Sequence, residues 1–162
     1  MKAEFINPFL QAATQVLETE LGSAPARGNI GLQRSPYTSD DVTAVVGVTG
    51  SVAGMVMISM AETTARAMVG VMMGQEFPEF DALAQSGIAE IGNVITGRAA
   101  VLLAEAGFPS NLAPPMLIIG RGTMLSTLDV QRLVIPLTTE FGSIEIQVAL
   151  REAVGAVQRA AS

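Results

Sequence analysis

Apolar residues recur at helical spacing near the start of the chain, at Phe9, Leu10, Ala13, Val16, Leu17 and Leu21. Asn7-Pro8 precedes them and reads as an N-cap followed by proline at the first helical position. The pattern predicts a helix from about Asn7 to Leu21, ended by Gly22. Three strand-like segments follow. Arg27–Gln33 is weak, Asp41–Val48 is β-branched, and Ala53–Met60 alternates, with Thr49-Gly50-Ser51 as the turn between the last two. Glu62–Met73 has helical spacing and stops at Gly74, and Glu76 to Glu79, with Pro78, reads as a solvated loop. Asp81 is placed to cap a long helix running to about Ala106, closed by Gly107 and Pro109.

The rest of the chain follows the same order. Met116–Arg121, Val130–Thr138 and Ser143–Leu150 read as strands, and a short amphipathic helix is expected from Arg151 to Arg159. Gly50-Ser51 and Gly142-Ser143 occupy matching turns, so the order suggests an internal α-β-β-β-α duplication. The strands cluster in hairpins rather than βαβ units. That predicts an α+β fold, an antiparallel sheet packed against two long helices, in a single domain over residues 1–162.

Composition removes several chemistries. The chain has no Cys and no His, which excludes thiol chemistry, zinc sites built on those ligands, and Ser-His-Asp or Cys-His catalysis. Net charge is −6, and the basic residues are scattered, so nucleic acid is not an expected partner. The most apolar stretch, Val52 to Met73, is broken by Glu62, Thr63, Thr64 and Arg66, so no membrane span is expected. The N-terminus lacks a long apolar leader core, and with the absence of cysteine this fits a cytoplasmic protein. Gly47-Val-Thr-Gly50-Ser-Val-Ala-Gly54 has no Gly-Lys-Ser/Thr ending and reads as a hairpin, not a phosphate loop. The local run of Met55, Met57, Met60, Met68, Met72 and Met73 reads as core filling; a small-ligand pocket is the alternative.

The central helix is two-faced. At about 100° per residue, Ala84, Ile88, Ile91, Ile95, Ala99 and Leu102 share a core face. Ser86, Glu90, Asn93 and Gly97 fall on the opposite stripe, rimmed by Leu83, Gly87, Val94 and Val101. A face meant only for water would carry more charge. Small and apolar residues around one carboxylate and one amide suit a docking surface, and Gly97 leaves room for another molecule. Mid-helix glycine costs about 1 kcal/mol relative to alanine, and Gly87, Gly92 and Gly97 all accept that cost. Spacing alone leaves two plainer accounts open: Glu and Asn as ordinary solvated residues, and the glycines as sites of close helix packing.

Ser86-x-x-x-Glu90-x-x-Asn93, followed by a proline about twenty residues on, resembles the signature of the CheC/CheX/FliY chemotaxis phosphatases. Pro115 is the matching proline, with Pro114 as rival; Glu90-Ile-Gly-Asn93-Val-Ile-Thr-Gly97 and the opening Ile6-Asn7-Pro8-Phe9 strengthen the likeness. The signature is read once, since the expected first helix holds Asn7 and Glu18 but no Glu-x-x-Asn; CheC-type members often carry two copies, one per half, so a single copy points to the CheX type. The resemblance implies a CheC-like fold and hydrolysis of the aspartyl phosphate of a CheY-like response regulator. It implies that Asn93 positions the attacking water and that Glu90 pairs with a lysine of the partner. Ser86, Gly97 and Pro115 would serve position or docking. No cofactor of its own is implied, because Mg²⁺ is expected on the partner regulator. A homodimer is implied as well. The alternative is a non-catalytic CheC-like scaffold or switch-binding module, which would have no need of the Glu90–Asn93 pair.

Overall fold

The computed structural model describes residues 2–126 and 130–153. Helix α1 spans Ala3–Leu21, four residues earlier than the sequence suggests. Lys2 takes the N-cap position, and Pro8 lies inside the helix rather than at its first position. A proline there forfeits one backbone bond to the preceding turn. Phe5 and Ile6, both buried, hold that turn on the core, and the Phe5 ring meets Phe108 edge-on at 4.9 Å. Helix α2, Glu62–Met73, and helix α3, Ala82–Glu105, have the expected bounds. Gly22 and Gly74 end α1 and α2 in the left-handed conformation. Asp81 caps α3, its side chain accepting from the Ala84 amide at 2.9 Å.

Among the described residues ten strands complete the order: β1 Ala26–Arg27, β2 Gly31–Gln33, β3 Tyr37–Thr38, β4 Val42–Gly50, β5 Val52–Met60, β6 Ser110–Leu112, β7 Met116–Ile119, β8 Met124–Leu125, β9 Arg132–Thr139 and β10 Gly142–Glu152. Eight form one antiparallel sheet with the path β1-β9-β10-β5-β4-β6, in which β2 also pairs with β9 and β7 with β4. β3 and β8 pair separately. The sheet is symmetric about its centre. β5 and β10 lie side by side, each with its hairpin partner outside it, and each hairpin partner is edged by two short strands from the other half of the chain. Each half places a helix and then strands in this order, with more strands than the three per half read from sequence.

Prolines explain the extra breaks. The Pro136 carbonyl of β9 accepts from the Gly28 amide at 2.8 Å, but proline has no N–H to return the bond. The neighbouring segment therefore splits into β1 and β2 instead of running over Arg27–Gln33. Ala113-Pro114-Pro115 divides β6 from β7 on the other edge, where the Gly47 carbonyl accepts from Ala113. At the end of the described chain, Arg151 and Glu152 continue β10 rather than starting the expected helix, whose remainder lies outside the described residues.

The helices cover one face of the sheet. Val42, Ala44, Val56, Ile58, Met60, Ile135, Leu137, Ile144, Ile146 and Val148 point into a core shared with Phe9, Leu17, Met68, Ile88, Ile95 and Leu103. Burial of such side chains is worth about 1.5–3 kcal/mol each. The opposite face carries Thr43, Met57, Ser59, Arg132 and Gln147, all buried. The β3–β8 ribbon lies over it, with Tyr37 Oη 3.0 Å from Thr43 Oγ1. Of the methionine run, Met57, Met60 and Met68 fill the interior. Two clefts among the described residues, about 690 and 380 Å³, are lined by no methionine. One is bordered by Arg66, Gln75 and Glu76, the other by Asp40, Arg121 and Glu145. α3 is the one described helix long and apolar enough to cross a bilayer, and it buries its isoleucine face on the sheet.

Ala61, the N-cap residue of α2, contributes no side-chain bond there. Asp41, next to β4, supplies it from a distance: its carboxylate accepts from the Glu62 amide at 2.9 Å and also from Arg121. The Arg121 hydrogen bond first, then the Glu62 amide, hold the Asp41 carboxyl below its ordinary value. The folded state therefore binds this proton less readily than the unfolded chain. The stabilisation is present above the unfolded carboxylate range, about pH 4, and fades as pH falls through the folded value. Asp41→Asn is expected to flatten that acid limb; a melting-temperature series from pH 7 to pH 2.5 on both proteins measures it.

Candidate active site

α3 is held on two sides, and this fixes which face it presents outward. A Cβ on Gly87 would lie 2.8 Å from Val69 Cγ1 and 3.1 Å from Met73 Cε, so this glycine lets α2 come close. A Cβ on Gly92 would lie 3.2 Å from Pro115 Cγ and 3.7 Å from Ala44 Cβ, so Gly92 admits the β6–β7 connection and the sheet. Both are buried. Gly87 is therefore a packing residue and not part of the exposed rim expected from the helical wheel. Gly97 differs, because nothing lies within 4 Å of the Cβ it lacks. Only this one of the three leaves space on the outer surface.

Ser86, Glu90, Asn93 and Gly97 are all exposed along one stripe, while Ile88, Ile91 and Ile95 beneath them are buried. Residues three or four apart on a helix are neighbours, about 5–6 Å between Cβ atoms, so Glu90 and Asn93 can meet one ligand together. Neither side chain makes a hydrogen bond or ion pair among the described residues. Asn93 offers one carbonyl acceptor and an amide donor, and Glu90 offers a carboxylate. Leu83, Val94 and Val101 are 50 %, 41 % and 47 % exposed and form the apolar margin. Met73 of α2, 39 % exposed and placed against Gly87, extends that margin; its contribution depends on how α2 crosses α3, which no spacing along either helix reveals. Pro115 is half-buried with its ring beside Gly92, one residue before Asn93, whereas Pro114 is exposed. Of the two prolines, Pro115 is the one the fold brings to α3.

Arg98 Nε donates to Gln15 Oε1 of α1 at 3.1 Å, and the Thr96 hydroxyl donates to the Asn93 carbonyl at 3.0 Å. Both bonds hold the helix and leave the Glu90 and Asn93 side chains free. The arrangement can orient a small polar molecule between carboxylate and amide, on an apolar-rimmed surface.

Comparison with known proteins bears on the family and the fold. Residues 42–138 match the family model described as chemotaxis phosphatase CheX. A Thermotoga maritima protein, CheY-P phosphatase CheX, is 28 % identical over 131 residues, covering 80 % of this chain and 84 % of its own. A CheC-like superfamily protein from Shewanella superposes with a TM-score of 0.85 at 25 % identity, over 93 % of this chain and 99 % of that one. A chain of the CheX–CheY–BeF₃–Mg²⁺ complex of Borrelia burgdorferi superposes with a TM-score of 0.77 at 29 % identity, over 91 % of this chain and 98 % of that one.

Gly97→Ala adds a methyl group in open space on a helix. It is expected to raise stability by about 1 kcal/mol, or roughly 2–4 °C in Tm at this size. Gly87→Ala is expected to lower Tm by pressing α2 off α3. Calorimetry on the two variants separates a glycine kept for packing from one kept for surface space.

Proposed function

Because the chain belongs to the chemotaxis phosphatase CheX family, we propose that it hydrolyses the aspartyl phosphate of a CheY-like response regulator. The observation that carries this reading is the exposed, unpartnered Glu90–Asn93 pair on α3, inside the family-matched stretch. The partner in the related Borrelia complex is a CheY with Mg²⁺ and a phosphoryl mimic. In this proposal the regulator supplies the metal ion that neutralises phosphoryl charge, and the chain supplies no cofactor. What it adds is a placed water. The Asn93 amide accepts from one water proton and donates to another acceptor, which aims a water lone pair along the line of attack without acting as a base. Glu90, one turn earlier, pairs with a lysine at the regulator's phosphorylation site. Ser86, Gly97 and Pro115 shape the docking surface, Pro115 by bracing α3 at Gly92. Residues 1–162 act as one domain, in the cytoplasm with the regulator. The scaffold alternative leaves the exposed pair without a task.

The expected outcome for Asn93→Ala is near-normal docking with turnover of the bound complex lowered on the order of 100-fold. Glu90→Ala is expected to weaken association too, and wild-type association should weaken with salt. Loss of one partner in such an interfacial charge pair costs about 2–5 kcal/mol. Neither change should unfold the protein, since both side chains lie outside the core. Single-turnover dephosphorylation, run beside binding to a beryllofluoride-loaded regulator, reads both effects. Wild-type turnover in Asn93→Ala would refute the water-positioning role.

The working assembly in this reading is a homodimer. Both sheet edges carry exposed apolar residues, Ile30 and Leu32 at one and Met116 and Ile119 at the other. Pairing edges across a two-fold axis would cover them. Light scattering is expected to give twice the chain mass; a monomer at every concentration rejects the dimer.

A further inference from the structure

The face of the sheet turned away from the helices carries a polar row that the phosphatase reading does not use. Register sets it. Ser59 of β5 lies opposite Thr43 of β4 on one side and opposite Glu145 of β10 on the other. Side chains directly opposite in an antiparallel pair have Cβ atoms about 4.5–5.5 Å apart, so Thr43, Ser59 and Glu145 form one line across three adjacent strands. Ser143, two residues before Glu145, shares that face of β10.

The cleft of about 380 Å³ opens over this row. Ser59, Ser143 and Glu145 line it from the sheet, and Tyr37, Asp40 and Arg121 line it from the other side. The far wall is already satisfied. Tyr37 Oη lies 3.0 Å from Thr43 Oγ1 and accepts from the Asp40 amide at 3.2 Å. Ser39 Oγ donates to the Gly120 carbonyl at 2.8 Å and accepts from the Thr123 amide at 2.9 Å. Arg121 is shared by Asp40 and Asp41.

The sheet wall is not satisfied. Ser59 is 4 % exposed, and neither its hydroxyl nor that of Ser143 makes a hydrogen bond among the described residues. A buried hydroxyl without a partner costs free energy that a bound donor would recover. Glu145 accepts from Gln147 Nε2 at 3.1 Å through one oxygen, which orients the carboxylate and leaves its second oxygen to the cleft. Asp40, Asp41 and Glu145 stand against Arg121 and the buried Arg132, which lies within electrostatic reach of Glu145 without pairing with it. Three carboxylates against two guanidiniums leave one negative charge.

The group that fits this wall is slender, singly positive and a donor of several hydrogen bonds. A primary ammonium has three N–H donors and no acceptor. A divalent metal ion takes about six oxygens, and among the described residues no three acidic side chains are placed to hold one. We propose that the cleft binds one primary alkylammonium group, with Glu145 as its counter-ion and the Ser59 and Ser143 hydroxyls as its acceptors. The site lies across the sheet from α3 and stands whether or not the Glu90–Asn93 pair is catalytic.

The test titrates the full chain with n-butylammonium chloride at fixed ionic strength and neutral pH, following backbone amide NMR signals and Tm. Tetramethylammonium chloride, with the same charge and no N–H, is the control. Butylammonium is expected to give saturable shifts centred on Ser59, Ser143 and Glu145 and to raise Tm, and tetramethylammonium to do neither. Glu145→Gln keeps the side-chain shape at an exposed position and is expected to raise Kd about ten-fold or more. Ser59→Ala, checked for an unchanged melting profile without ligand, is expected to raise it several-fold. The same ammonium can arrive on a free amine or on a lysine side chain, and Nα-acetyl-L-lysine N-methylamide presents the second form. Tighter binding of butylammonium assigns the free amine; tighter binding of the lysine derivative assigns a partner's lysine. Shifts that do not saturate, equal shifts from tetramethylammonium, or an unchanged Kd in Glu145→Gln would overturn the proposal.

Discussion

The antiparallel pairing of β5 with β10 is the constraint on which the rest depends. Nine residue pairs, from Ile144–Met60 to Glu152–Val52, join the two halves of the chain along the middle of the sheet. The pairing sets the helix-facing side of both hairpins together, because a one-residue slip would turn every inward side chain outward. It also forces a backbone contact that only glycine permits: a Cβ on Gly54 would collide with the Ala149 carbonyl oxygen. Once the central pair is in register, Val56, Ile58, Ile146 and Val148 form one apolar floor, and α1 and α3 are laid across it.

From that floor the candidate site follows by packing. α3 must turn its isoleucines down, and Gly87 and Gly92 let α2 and Pro115 grip its flanks. These contacts set the rotation of the helix, so the Glu90 and Asn93 side chains are placed without a hydrogen bond of their own among the described residues. Their polar groups remain unsatisfied by the protein and available to another molecule. A site of this kind sits on a rigid helix rather than a loop, which suits a task that is mainly one of placement.

Much of this was legible in the sequence because it is local. Asp81 and Gly74 punctuate their helices by capping chemistry, and the wheel separated Ile91 and Ile95 from Glu90 and Asn93 correctly. What was not legible depended on distant partners. Asn7-Pro8 has the local form of a helix start, and only the packing of Phe5 and Ile6 extends α1 past it. The break between β1 and β2 is caused by a proline more than a hundred residues away, Pro136. β3, β6 and β8 are two or three residues long, too short for any alternation to register. Gly87 looked like a rim residue because its angle on the wheel says nothing about where α2 crosses. Pro115 could be chosen over Pro114 only after the fold brought one ring, and not the other, beside Gly92.

The exchange of edge strands between the halves also shapes how the chain emerges during synthesis. The β4–β5 hairpin is complete at Met60, yet the outer edge of β4 waits for residues 110–119 and the outer edge of β5 for residues 142–152. At typical translation speeds, fifty residues correspond to roughly 3–10 s. For that interval an apolar hairpin with two open edges hangs from the ribosome, the kind of element that recruits a neighbouring copy. Gly47, Gly50 and Gly54 fall within it, and glycine weakens strand formation. The residues that later fit the hairpin into the sheet thus also keep it from cohering too early.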